Sequence, residues 1–346
     1  MTLFTPRLTA EASGIIPVHP FEDVAMSKPL GFAKLLLAGL VTGAVTTGLI
    51  AAPAAAAPAE RPAPAGKTHP AALPPARGQQ TATPAVSAAG SVLTISYSCD
   101  ASHKIRAQDM TSSELAATCQ SLLNQDAFFY GVVGSNGQPV ANDLNTSIEI
   151  NVYNSSTDYQ NHAGAEFGIS TNNGGMYLEG DPSRAGNQAR FIAYEAEWLR
   201  PVFAIWNLNH EYTHYLDGRY DMWGDFRQSS GANTIWWIEG VAEYVSYSYR
   251  GVAYTSAIAE ARKGTYTLST VFDTTYRHSA SRIYDWGYLG VRYMLERHPA
   301  DVTTLLGYYR AGKYTNARNF LRNTIGTRYD ADFKVWLAAC GAGACS

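Results

Sequence analysis

Residues 202–218 read Val-Phe-Ala-Ile-Trp-Asn-Leu-Asn-His-Glu-Tyr-Thr-His-Tyr-Leu-Asp-Gly, an apolar run that leads into an H-E-x-x-H motif at His210–His214. The apolar spacing predicts a helix over 203–217, with Gly218 as the glycine just past its end. On a helix, positions i and i+4 share a face, so His210 and His214 can aim both imidazoles at one ion, at about 2.0–2.1 Å from each nitrogen. Glu211 then stands beside that ion without binding it. A carboxylate so placed takes a proton from a water that zinc has acidified, and can later return it to a leaving amine. With only eight histidines in the chain, an accidental motif of this kind is on the order of a one-in-a-hundred event. A structural zinc site is closed by four protein ligands, commonly cysteines, and no cysteine lies near this stretch.

A hydrolytic zinc site needs a third protein ligand and one position left for water. A histidine at H-x-x-G-x-x-H spacing is missing, because after His214 the next histidine is His278. A second amphipathic segment, Ile235-Trp-Trp-Ile-Glu-Gly-Val-Ala-Glu-Tyr244, instead offers Glu239, 25 residues after His214. That interval suits a helix–loop–helix whose second helix returns alongside the first. Glu243 lies one turn further on the same face, where it can accept a hydrogen bond from a ligand imidazole and fix its tautomer. The two roles are exchangeable in principle, and the spacing favours Glu239 as the ligand.

Around this pair the pattern is α+β. Strands are expected over 92–97, 146–153, 176–179 and 190–194, where β-branched and aromatic residues gather. Thr111-Ser-Ser-Glu114 is a capping box that opens a helix through 115–125. Beyond Trp198 the periodicity turns helical, over 235–248, 253–263, 287–297, 301–311 and 331–339 in addition to the motif helix. Strands early and helices late favour α+β over an alternating parallel sheet. Four cysteines, Cys99, Cys119, Cys340 and Cys345, offer three pairings; the local one, Cys99–Cys119 and Cys340–Cys345, closes the shortest loops.

The first ninety residues are expected to stay outside the fold. Residues 35–50 form an uncharged apolar run behind Lys28 and Lys34 and ahead of a small-residue stretch, so 1–57 reads as a secretory signal with cleavage near Ala57 and a better start at Met26. Pro53 ends the run before it reaches the roughly 20 residues of a membrane span. Residues 58–90 are an Ala/Pro-rich linker or short propeptide, and 91–346 form one domain. The expected product is secreted and extracellular, monomeric, and free of the membrane. Its net charge of −3 and charged fraction of 16% argue against nucleic acid as a partner and against a disordered chain.

His210-Glu-Tyr-Thr-His-Tyr-Leu-Asp-Gly-Arg-Tyr220, with Glu239-Gly-Val-Ala-Glu-Tyr244 after it, resembles the peptidase domain of the bacterial collagenases, zinc metallopeptidases of the gluzincin group. Thr171-Asn-Asn-Gly-Gly-Met-Tyr-Leu-Glu179 is similar to the family segment in which a double glycine precedes the edge strand that binds substrate backbone. The resemblance covers roughly 92–340. It implies a zincin-like fold in which His210, His214 and Glu239 bind Zn²⁺, Glu211 is the general base, and Gly174 and Gly175 shape the cleft. It also implies that Glu179 binds a structural Ca²⁺ together with carbonyls of the loop around 220–224. Tyr284, or else Tyr288, falls where the family keeps aromatic residues near the cleft, and a phenol there can stabilise an oxyanion.

The family's large members carry an activator domain before the peptidase domain and collagen-binding modules after it, and neither is expected here, where an Ala/Pro-rich stretch precedes Ser91. Gelatin, denatured collagen and collagen-like peptides are therefore the expected substrates, because a wound triple helix presents no free backbone edge. Two other functions remain compatible with the motif: a secreted zinc-containing binding protein without turnover, and a zinc exopeptidase. The latter would need a group that captures a free substrate terminus, and the sequence shows none.

Overall fold

The computed structural model describes residues 90–346. The expected leader over 1–57, its Met26 start, and all but the last residue of the 58–90 linker lie outside the described residues. Five strands, β1 (Ile95–Ser98), β2 (His103–Ala107), β3 (Ile148–Tyr153), β4 (Met176–Leu178) and β5 (Ala189–Tyr194), form one sheet in the order β1-β2-β3-β5-β4. The central β2, β3 and β5 run parallel, and β1 and β4 flank them antiparallel. Parallel neighbours need crossovers, which are supplied by α1 (Ser112–Val133) and by α2 (Ser156–Phe167).

The capping box at Thr111 and Glu114 forms as expected, and α1 runs on to Gly134 in the left-handed conformation. β2 and α2 escaped the sequence reading, as did four short helices in the second half of the chain. β2 has five residues, and α2 is mostly polar, burying only Tyr159 and Ala163. Their presence changes β3: α2 packs on one face while α1 and the later helices cover the other. Ile148, Ile150 and Val152 enter the main core, and Tyr153 joins Tyr159, Ile192 and Tyr194 in a second one. The strand expected to be half-buried is therefore covered on both sides, as central parallel strands are.

The rest is helical: α3 (Leu208–Tyr220), α4 (Phe226–Ser230), α5 (Ile235–Arg250), α6 (Thr255–Lys263), α7 (Leu268–Val271), α8 (Ala280–Ile283), α9 (Asp285–Arg297), α10 (Pro299–Arg310), α11 (Tyr314–Asn319) and α12 (Asp330–Ala339). The motif helix begins five residues later than expected. Residues 203–206 instead run back along the end of β5, with Ala196 N–H donating to Ala204 O at 2.8 Å and Trp206 N–H to Tyr194 O at 3.0 Å. Asn207, at φ 57°, turns the chain into the helix. Apolar residues here serve a bridge to Glu195 rather than a helical face. Gly218 does not end α3 either; it lies inside the helix, where a Cβ would stand 3.0 Å from Glu179 Oε1.

Helix α5 packs against both α3 and α9. The contact with α9 is backbone to backbone: a Cβ on Gly240 would lie 2.4 Å from the Gly287 carbonyl oxygen. This crossing brings the α5 carboxylates next to the start of α9. On the α3 side, Trp237 Nε1–H donates to Asp217 at 3.0 Å, and Trp236 and Trp237 are fully buried. Both expected disulfides form, Cys99–Cys119 with Cα atoms 5.4 Å apart and Cys340–Cys345 at 4.7 Å. No described helix is long and apolar enough to cross a membrane.

Candidate metal centre

One turn of α3 carries His210 and His214 on the face toward α5, both almost wholly buried. Their Nε2 atoms lie 3.0 Å apart, and Glu239 Oε2 from α5 lies 3.5 Å from each. Two donors bonded to one zinc at 2.0–2.1 Å and separated by the tetrahedral angle stand about 3.3 Å apart. The three separations match that edge. Two imidazole nitrogens facing each other and a buried carboxylate oxygen without a hydrogen-bond donor form a donor set that a dication completes. Glu243 Oε1 lies 3.5 Å from the other ring nitrogen of His210, on the side away from the cluster. That is the position from which a carboxylate holds an imidazole in the tautomer that leaves Nε2 free to ligate.

Glu211 stands next to the two histidines, within the same small group of potential ligand atoms. It is fully buried, and neither carboxylate oxygen has a hydrogen-bond partner of good geometry. Burial, then the charges of Glu239 and Glu243, raise its proton affinity well above that of an ordinary glutamate; the Tyr177 backbone N–H opposes them. Burial pushes Glu239 the same way, but the His214 and His210 imidazoles outweigh it and hold it down at about 2. Glu243 goes up to about 7 through burial, with His210 opposing. Three buried carboxylates gathered around two imidazoles form a cluster whose charged forms a dication would stabilise.

Two supports were not legible in the sequence. Tyr276, on the α7–α8 loop, donates its hydroxyl proton to Glu239 Oε1, fixing the carboxylate so that Oε2 faces the histidines. On the far side of α3, the Tyr212 hydroxyl donates to Asp126 of α1 and lies 2.5 Å from His103 Nε2 on β2. His103 is held in turn by Asp100 at 3.0 Å. The motif helix is thus pinned from behind by side chains far away in sequence.

The sequence profile of the family described as collagenase matches residues 78–336. This chain belongs to the collagenase family of metallopeptidases. A collagenase-family chain implies zinc, and the donor set above fits that ion. The chain is 42% identical over 248 residues to a microbial collagenase of Vibrio alginolyticus, covering 71% of this chain and 30% of that one. A microbial collagenase of Vibrio parahaemolyticus is 43% identical over 242 residues, covering 70% and 29%. Collagenase ColA of Clostridium perfringens is 27% identical over 180 residues, 49% of this chain and 15% of that one. The chain therefore spans about three-tenths of the length of the Vibrio relatives it matches.

The remaining expected residues of this collagenase-family chain fall at different distances from the centre. The Tyr284 ring lies against His210, centroids 6.2 Å apart. Its hydroxyl is raised well above the usual value by burial and by the charges of Glu239, Glu243 and Glu211. Tyr288, the other candidate, points away: it packs on Tyr244, Tyr247 and Tyr254, and its hydroxyl lies 2.8 Å from an Arg292 nitrogen. Gly174 and Gly175 immediately precede β4, but the space a side chain would take there is filled by the protein itself. A Cβ on Gly174 would stand 2.6 Å from Trp206 Nε1, and one on Gly175 (φ 126°) 3.0 Å from Phe191. Their smallness seats the turn on β5 and Trp206. Glu179 is not the surface residue that a strand end suggests. It is buried, accepts the Phe226 N–H at 2.6 Å, and is raised to about 8 by burial, with Asp225, Asp143 and Asp181 adding to the rise.

Proposed function

We propose that this chain is a secreted zinc endopeptidase that cleaves single, extended polypeptide chains such as gelatin and collagen-like peptides. The observation that carries the reading is the meeting of His210, His214 and Glu239 at tetrahedral separations beside a buried, unpartnered Glu211. These three residues would hold the ion in a zincin-like site of the gluzincin kind, and zinc bound there supplies Lewis acidity to the attacking water and the scissile carbonyl. Glu211 takes the proton of the attacking water on a carboxylate oxygen and passes it to the departing amine. Glu243 and Tyr276 hold the ligands in orientation. Tyr284 is the group best placed to donate a hydrogen bond to the carbonyl oxygen as charge builds on it.

Substrate placement follows from the sheet. β4 is an outer strand, its second edge meets no further strand among the described residues, and it packs on α3. An extended chain can add to that edge through backbone hydrogen bonds, which lays a peptide bond beside Glu211. Only a chain with a free backbone can do so, which favours unwound collagen over the triple helix. Glu179, with its surrounding aspartates and the 220–224 loop, is a reasonable seat for a structural Ca²⁺, whose preferred ligands are carboxylate and carbonyl oxygens.

The test is hydrolysis of a gelatin film and of an internally quenched Gly-Pro-rich peptide, with and without a chelator, and with Glu211→Ala as control. Cleavage that the chelator abolishes, zinc restores and the variant lacks is the expected result. A folded, zinc-loaded protein that cuts neither substrate would refute the assignment.

A further inference from the structure

The segment between β5 and α3 turns an aromatic surface to solvent next to the free sheet edge. Trp198 and Val202 are 41% and 50% exposed, unusual for side chains of their kind. Trp198 meets Trp206 edge to face with centroids 4.8 Å apart, and Tyr194 backs Trp198 at 6.4 Å. The Trp206 indole lies over Gly174, close enough that a Cβ there would clash. The pair therefore stands where the Gly174–Gly175 turn enters β4, at one end of the edge that a substrate chain would extend. Two charged neighbours are already engaged. Arg200 is paired with Glu195 at 2.9 and 2.6 Å, and Glu197 accepts the Ser156 hydroxyl at 2.5 Å and backbone N–H at 3.2 Å. A charged partner would have to compete with these pairs, whereas the exposed Trp198 indole offers an uncharged chain an apolar surface backed by Trp206.

We propose that Trp198 and Trp206, with Val202 beside them, form a docking platform for an uncharged, proline-rich stretch of the same polypeptide whose scissile part lies along β4. The proposal rests on the reading above that the substrate is one extended chain. Proline rings pack on indole faces, and a proline-rich segment is already extended, so it gives up little conformational freedom on docking. The platform makes the enzyme prefer substrates that carry such a stretch beyond the cleaved region, without touching the metal ligands or the base.

Binding can be read without turnover. The full chain carrying Glu211→Ala is titrated with a long, single-chain Gly-Pro-rich peptide by calorimetry, and compared with the same chain that also carries Trp198→Ala. A peptide whose flank is Gly-Ser instead of Gly-Pro serves as the second probe. The dissociation constant of the Gly-Pro peptide is expected to rise roughly five- to tenfold on loss of the tryptophan, Trp198→Phe restoring most of it, with little change for the Gly-Ser peptide. Equal affinity of Trp198→Ala and its parent for the Gly-Pro peptide would overturn the platform. So would a concentration-dependent mass by light scattering that Trp198→Ala abolishes, since a second copy of the chain would then be the occupant. Because these titrations need no catalysis, absence of cleavage by the native chain would count against the proposed reaction alone.

Discussion

Replacing Tyr276 with Phe removes one hydroxyl from a side chain that no motif singles out, and its effect can be sized from the structure. Glu239 is fully buried; its Oε1 takes the Tyr276 proton while Oε2 faces His210 and His214. A hydrogen bond to a charged, buried group is worth about 1.5–3 kcal/mol. Losing it leaves that carboxylate without its anchor and free to rotate away from the histidines. The expected consequence is a roughly ten- to hundredfold weaker zinc affinity, the size seen when a ligand's outer partner is removed. Zinc competition against a chromophoric chelator measures it directly, alongside turnover at saturating zinc, which should change far less. An unchanged zinc affinity would refute the reasoning. Lost turnover at full zinc occupancy would instead mean that the phenol acts on the substrate.

Glu211→Ala should retain zinc and lose roughly a thousandfold or more in kcat, whereas Glu239→Ala or His214→Ala should lose both zinc, by elemental analysis, and activity. Tyr284→Phe should lower kcat roughly a hundredfold with zinc content unchanged; an effect confined to KM would place the phenol on the bound substrate only. Burial raises Asp100, but the Ser102 and His103 backbone N–H groups and side chains outweigh it and hold it down at about 2, below its ordinary 3.8. The stability this contributes is present above pH 3.8 and is lost as pH falls toward 2. Asp100→Asn should therefore lower the denaturation midpoint at pH 5, and the gap to the native chain should close near pH 2. Removing Cys99–Cys119, which spans 20 residues, should cost about 3 kcal/mol by loop entropy; the five-residue Cys340–Cys345 loop should cost about 2. Thermal melts of the two double-Ala variants would rank them.

The chemistry of the centre was open to the sequence because it depends on local spacing. An i, i+4 pair on any helix places His210 and His214 together, and a carboxylate between them needs no knowledge of the fold. The capping box at Thr111 and the short-loop disulfides were legible for the same reason: each is fixed by residues close along the chain. What the sequence left open arises from contacts between distant segments. The apolar run before the motif looked helical, but backbone pairing with the end of β5 took it, so α3 starts at Leu208. α2 covers the sheet with little apolar signal of its own. That Tyr284 and not Tyr288 lies near His210 follows from where α9 crosses α5 at Gly240 and Gly287. Tyr276 reaches Glu239 from 37 residues away, and His103 and Asp126 brace Tyr212 behind the motif helix from 109 and 86. Side chains separated by such intervals meet only once the core has set the helices, which is why the ligands belong to the sequence and their alignment to the tertiary structure.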